Sequence, residues 1–286
     1  MRPRTTIVNL AAVTLALASV PLSAQWPEVK TKRVPLTRDG KPNLTAPAPK
    51  LANGKTDFAG VWLSAKVPCE QTQAADFGCN DAPEGIPIGF IDVSASRAEE
   101  LERGAKEPLP YQPWAQALAK QRMAGNGKDS PTPRCLPMPS VAHWNSFHPQ
   151  KLVQTEEALI ILDEYMDQYR QIFLDGRPLP KDPFPYFKGY SVGRWDGEVL
   201  VVDTMGFKDG IWLDAKGNPL TDQARTVERI RRPNYGNLEI QITVDDPKAY
   251  TKPWTVTRNL KIALDTELFE YICNENEKDV AHMAAK

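Results

Sequence analysis

From position 151 onward, apolar and polar residues alternate in short runs separated by turn signals, and this two-residue period predicts β-strands. Leu238, Ile240, Ile242 and Val244 share one parity against Glu239, Gln241 and Thr243. Trp254, Val256, Leu260 and Ile262 do the same against Thr255, Thr257 and Lys261. Further strands are expected at 57–63, 151–155, 158–165, 169–174, 190–195, 198–204, 226–232 and 267–273. That makes about ten, enough to close or nearly close a barrel.

The dipeptide Asp196-Gly197 predicts a two-residue hairpin loop of the primed kind. In that register Trp195 faces Glu198, Arg194 faces Val199, Val192 faces Val201 and Tyr190 faces Asp203. Tyr190, Val192, Arg194, Val199, Val201 and Asp203 then share one sheet face.

Between 69 and 145 the period changes. Helices are expected at 96–104 and 114–124, an insertion near 94–125, the second helix having Pro113 at its first position and Gly125 just past its end. Trp114, Ala117, Leu118 and Met123 lie near one face of it, which reads as core packing or as a lid over a barrel mouth. The fold class is therefore mostly β, an antiparallel barrel or sandwich with a small helical insertion.

The N-terminus carries Arg2 and Arg4, an apolar run over 7–20 and then Leu22-Ser23-Ala24, the layout of a cleavable export signal over 1–24. The run falls short of the ~20 apolar residues that a spanning helix needs, so no membrane span is expected after cleavage. The chain's net charge is −1. Loss of Arg2 and Arg4 takes it to about −3, and no basic field for nucleic acid exists. Residues 25–56, rich in Pro and Lys, read as an irregular tether, 57–276 as a single domain and 277–286 as a tail.

Four cysteines suit a periplasmic or secreted protein. Three pairings are open. Cys69 with Cys79 closes a local loop and Cys135 with Cys273 ties the start of the β-rich region to its end, which makes this the preferred pair of bridges. Cysteine spacing is wrong for structural zinc, so no metal is expected.

The hairpin face mixes a tyrosine, an arginine and an aspartate with valines. Turned inward, these groups must pair with one another or with a ligand, because a lone buried charge is costly; the alternative is a solvent-facing face, or three groups that merely satisfy one another. Asp203, Glu228 and Tyr190 are the candidate acid–base residues and Arg194, Arg170, Trp212 and Trp254 the candidate ligand contacts. A carboxylate base with a tyrosine acid serves isomerisation or elimination without a cofactor. The alternative for Arg170 and Glu228 is a solvated strand face. His143 and His148 allow haem ligation or proton transfer, against the plainer reading of loop histidines beside aromatics. No nucleophile elbow, dinucleotide loop, phosphate loop or zinc-protease motif occurs.

Gly60-x-Trp62 resembles the phrase that opens lipocalin-type barrels, where the tryptophan closes the barrel bottom. Several longer phrases carry a second resemblance. They are Arg134-Cys135-Leu136-Pro137, the run from Tyr169 to Pro178, Gly189 to Trp195, Leu200 to Thr204, Asp246 to Trp254 and Glu270 to Asn276. Together they resemble a large family of secreted bacterial proteins of unassigned function, over most of the mature chain. Members often have a His-Ser pair where this chain has Pro219-Leu220-Thr221-Asp222. The resulting reading is an exported, lipocalin-like barrel enclosing a small apolar or aromatic molecule. A cofactor-independent lyase, isomerase or hydrolase on the same scaffold is the alternative, and an envelope interaction protein the second alternative.

Overall fold

The computed structural model describes residues 29, 31–64, 109–125, 128–144, 148–214 and 217–275. Its strands are β1 Gly60–Ser64, β2 Gln150–Gln154, β3 Ala158–Asp163 and β4 Gln168–Phe173. They continue with β5 Tyr190–Asp196, β6 Val199–Met205, β7 Ile211–Trp212 and β8 Pro219–Leu220. The last three are β9 Arg225–Asn234, β10 Asn237–Asp245 and β11 Trp254–Ala263. Helices α1 (Pro113–Ala124) and α2 (Ser140–His143) precede β2.

Nine strands close a barrel in the order β1-β11-β10-β9-β6-β5-β4-β3-β2, and β7 and β8 form a separate two-stranded sheet. The mostly-β barrel expected from the alternation is present. Its ladders are antiparallel apart from one seam, where β4 and β5 run parallel through Ile172 opposite Ser191 and Phe173 opposite Val192. The parallel step follows from residues 174–189, which carry the chain from the end of β4 back to the end where β4 began.

Antiparallel closure gives the barrel two distinct ends. The lower one gathers the short turns at 155–157, 197–198 and 235–236; the upper one carries the described connections at 109–125, 128–144, 164–167, 206–214, 217–224 and 246–253. Alternation decides what lies between them. Leu238, Ile240, Ile242 and Val244, with Trp254, Val256 and Leu260, point inward and are buried, as the sequence period requires.

The lower end is shut by Trp62, which is fully buried and donates its indole N–H to the Phe58 carbonyl at 3.0 Å. The Arg232 guanidinium lies 4.8 Å from the Trp62 ring centroid and 5.0 Å from that of Tyr235, and donates to the carbonyls of Asp57 (2.7 Å) and Tyr235 (2.6 Å). A buried guanidinium is tolerable there because carbonyls and π-faces replace its water. Phe58 stacks on Trp195 at 5.7 Å. The tether runs beneath this plug and is anchored by Gly236 N–H to the Leu44 carbonyl and Tyr235 N–H to the Ala46 carbonyl, both 2.8 Å.

Four local expectations change. The 190–205 hairpin turns on Gly197-Glu198, so Asp196 faces Val199 and Arg194 faces Val201. Glycine holds the first loop position at φ +60°, as a II′ turn requires. The register moves by two, which preserves face membership. On α1 the buried positions are Ala115 and Ala119, whereas Trp114 and Met123 are exposed. Small alanines let the helix approach closely, and Trp114 is held at the surface by donating to the Lys248 carbonyl. Residues 267–273 form no strand; their N–H groups go to side chains instead, Phe269 to Glu164 (3.0 Å) and Tyr271 to Asp167 (3.1 Å). The small sheet of β7 and β8 was not foreseen.

Cys135 and Cys273 form a disulfide with Cα atoms 5.7 Å apart, tying this C-terminal strap to the region ahead of α2. Cys69, Cys79 and the helix expected at 96–104 lie outside the described residues. Among the described residues no helix is long and apolar enough to cross a membrane.

Replacing Trp62 by Ala should remove the lower plug and lower the unfolding free energy by about 3–5 kcal/mol in urea titrations. A loss below about 1 kcal/mol would show that the plug contributes little.

Candidate functional site

The barrel's upper interior is polar. Inward parity places Ser191, Thr204, Thr226, Val244 and Trp254 in one cross-strand row, since each faces the next across a ladder. Gln150, Asp163 and Gln168 form a second row at the same end, with Arg170 one inward step below Gln168. Helix α2 and Trp144 pack down among them, and Ser140, His143 and Trp144 are all buried.

An ion pair holds the centre together. Arg170 donates to both oxygens of Glu228, at 2.9 Å to Oε1 and with a shorter contact to Oε2, and both side chains are sealed from solvent. The remaining guanidinium hydrogens reach Ser191 Oγ (3.1 and 3.3 Å) and Thr204 Oγ1 (3.0 Å). Trp144 Nε1–H closes the network on Glu228 Oε1. Every charge is met by hydrogen bonds, the condition under which a buried pair is tolerated.

A second cluster surrounds His143. Asp163 Oδ2 lies 2.9 Å from His143 Nδ1, and Lys188 Nζ lies 3.2 Å from the same nitrogen. Asp163 Oδ1 accepts Tyr165 N–H at 3.1 Å, and Gln150 Nε2 donates to the His143 carbonyl. Burial, reinforced by the charge of Lys188, pushes the imidazole down to about 4, so the ring is neutral at pH 7. Burial likewise lowers Lys188 to about 8, against the raising influence of Asp163.

Several uncharged polar atoms at this end are buried with no hydrogen-bond partner among the described residues. They are His143 Nε2, Gln150 Oε1, both amide atoms of Gln168, Thr226 Oγ1, Ser140 Oγ and Trp254 Nε1, and the carboxylate oxygen Asp163 Oδ2 is buried beside them in the same condition. Such atoms are rare in folded proteins, and each calls for an explanation. The backbone between β3 and β4 is strained beside them, with Met166 at φ 61° and Asp167 at φ 47°. Strain of this kind concentrates at functional sites. Among the described residues no cluster of His, Cys, Asp and Glu has the make-up of a metal site.

The candidates from sequence separate into two groups. Arg170, Glu228 and Trp254 point into the barrel. Tyr190, Arg194 and Asp203 occupy its outer face: Asp203 is bridged by Arg194 and Arg225, whose side chains are 66% and 57% exposed. Tyr190 stacks on Phe173 at 5.2 Å, and Arg177 donates to its hydroxyl at 3.2 Å. An inward face for these three is thus corrected. The outer valines are consistent with this, because Val201 lies between Arg194 and Arg229 in the ladders, and arginine stems cover apolar surface. Trp212 is buried in β7, outside the barrel, with Arg122 4.7 Å from its ring.

Sequence reasoning missed Asp163, Gln168 and Lys188. Parity could have found the first two: Leu159, Ile161 and Asp163 share a face, as do Gln168, Arg170 and Ile172. Lys188 lies on an irregular segment and carried no such signal. His143 is fully buried, which the plainer loop reading does not provide for; His148 packs against Tyr165 and Tyr271 at 5.1 Å each.

Glu228→Ala should destabilise by about 3–5 kcal/mol, because it strands a buried guanidinium, while the double variant Arg170→Met/Glu228→Leu should lose less. Additive losses in urea titrations would contradict the pairing. Because the folded chain holds His143 neutral, the unfolded chain binds more protons between pH 6.5 and about 4. Stability is therefore fully present above 6.5 and falls by up to about 3 kcal/mol as pH drops through that window. His143→Gln should flatten this part of the pH profile.

No protein-family model, curated protein or solved structure matches the chain, so the site is read from its own geometry.

Proposed function

We propose that the upper interior of the barrel binds one small molecule with an apolar or aromatic body and uncharged hydrogen-bonding groups. The observation that carries this reading is the set of neutral polar atoms buried without partners at His143, Gln168, Thr226, Ser140 and Trp254. Neutral amides, hydroxyls, an indole and an imidazole can hydrogen-bond the uncharged polar groups of such a ligand. The nearby apolar positions Ile172, Val202, Ile242 and Val256 match its body.

Export belongs to the same proposal. The leader-like segment at 1–24 supports it, as does the Cys135–Cys273 bridge, which persists in oxidising compartments. Membership of the family of secreted bacterial proteins named above rests on the quoted phrases. Catalysis on the bound molecule is a second reading, favoured by the contact of Asp163 with a buried neutral histidine.

Thermal-shift screening of neutral hydroxylated and aromatic compounds tests the binding. A ligand at 100 times its Kd should add about 2.7 kcal/mol of stability. Gln168→Leu should raise the stability of the ligand-free protein by about 1 kcal/mol, because it removes unsatisfied polar atoms, and should weaken the ligand shift. Destabilisation by Gln168→Leu, with no compound shifting the wild type, would contradict the proposal.

A further inference from the structure

The arrangement around His143 Nδ1 has a chemical consequence for the opposite ring nitrogen. A ring nitrogen offers one in-plane site, either a proton or a lone pair. Two groups lie beside it: Lys188 Nζ, in hydrogen-bonding geometry at 3.2 Å, and Asp163 Oδ2, in ion-pair contact at 2.9 Å and able to take the proton of Nδ1 after a small rotation. When Nδ1 carries the proton and directs it to Asp163, Nε2 holds a lone pair. When Nδ1 accepts from a charged Lys188, Nε2 must carry the proton. Nε2 is buried and meets no partner among the described residues, in the region where the ligand is placed.

We propose that His143 is a general base toward the bound molecule through Nε2, with Asp163 and Lys188 as positioning residues that set the form of the ring. The proposal rests on the ligand reading above. In the step, an acidic C–H bond of the bound molecule breaks and its proton passes to Nε2. The electron pair moves into the conjugated system of that molecule, and the imidazolium is held by Asp163. Return of the proton to another atom of the same molecule completes an isomerisation that needs no oxidant, reductant or co-reactant.

The charged groups facing the centre define its pH dependence. Asp163 on β3 stabilises the imidazolium, Lys188 on the 174–189 segment opposes it, and Arg170 on β4 opposes it from farther away. Glu228 on β9 is occupied by Arg170 and Trp144, and Gln150 on β2 is neutral. Lys188 gives up its proton near pH 8. Its neutral form no longer competes as a cation for Nδ1, so the basicity of Nε2 rises as pH passes through about 8.

The probe is 5-nitrobenzisoxazole, a small apolar aromatic. A base removes its ring C–H proton, the electron pair forms a nitrile, and the N–O bond breaks to give a coloured phenolate. Binding is read by tryptophan quenching and turnover by absorbance, on the full mature chain. Expected is a rate that rises as pH passes through about 8, a loss of about 100-fold or more in His143→Gln, and a Lys188→Met variant that is several-fold faster than wild type at pH 7 with no inflection near 8. If His143→Gln fails to fold, the inflection and its loss in Lys188→Met decide alone. A bound probe that turns over equally in wild type and His143→Gln, or a wild-type rate flat across pH 8, would overturn the base while leaving the ligand site standing. Absence of any quenching would overturn both.

Discussion

Arg170 and Glu228 face each other inside a closed barrel, where neither charge is tolerable without the other. Their pairing fixes much of what surrounds them. Ser191 and Thr204 take up the spare guanidinium hydrogens, and Trp144 brings the chain after α2 down onto Glu228. The segment carrying His143 is thereby held against β2 and β3, where Gln150 and Asp163 receive it. One internal ion pair thus makes the top of an otherwise apolar barrel interior polar.

The contrast between the two ends explains how one sheet serves two purposes. At the lower end Phe58 stacks on Trp195, Trp62 donates to the Phe58 carbonyl, and every donor of Arg232 described there meets a carbonyl. That end is complete in itself and reads as structure. At the upper end the Arg170–Glu228 pair is satisfied, yet polar atoms at Gln168, Thr226, Trp254 and Asp163 have no hydrogen-bond partner among the described residues. A fold that had no use for those groups would be more stable with apolar residues there.

The barrel was legible because alternation is a direct consequence of strand geometry; β10 shows it without interruption and β11 with one, at the buried Arg258. The hairpin shows where that information stops. Its faces could be sorted from sequence, since a register shift of two keeps parity, but which face turned inward could not be decided from valines that arginine stems can cover. The site was legible only where parity continued an apolar run, as at Glu228 beside Ile230 and Arg170 beside Ile172. Lys188 and the burial of His143 come from irregular segments, where position is set by tertiary packing and has no period to read. Residues 267–273 misled for the related reason that side chains of Glu164 and Asp167 supplied the hydrogen bonds a neighbouring strand would have given.

A crystal structure of the protein, purified gently enough to retain any bound molecule and then soaked with the strongest hit of a compound screen, tests the central claim most directly. The account predicts an organic molecule in the upper barrel, hydrogen-bonded to the Gln168 amide and to His143 Nε2, with its body against Val202 and Ile242. An upper barrel in which those same atoms bond only to other side chains of the protein, leaving no room for a ligand, would contradict it.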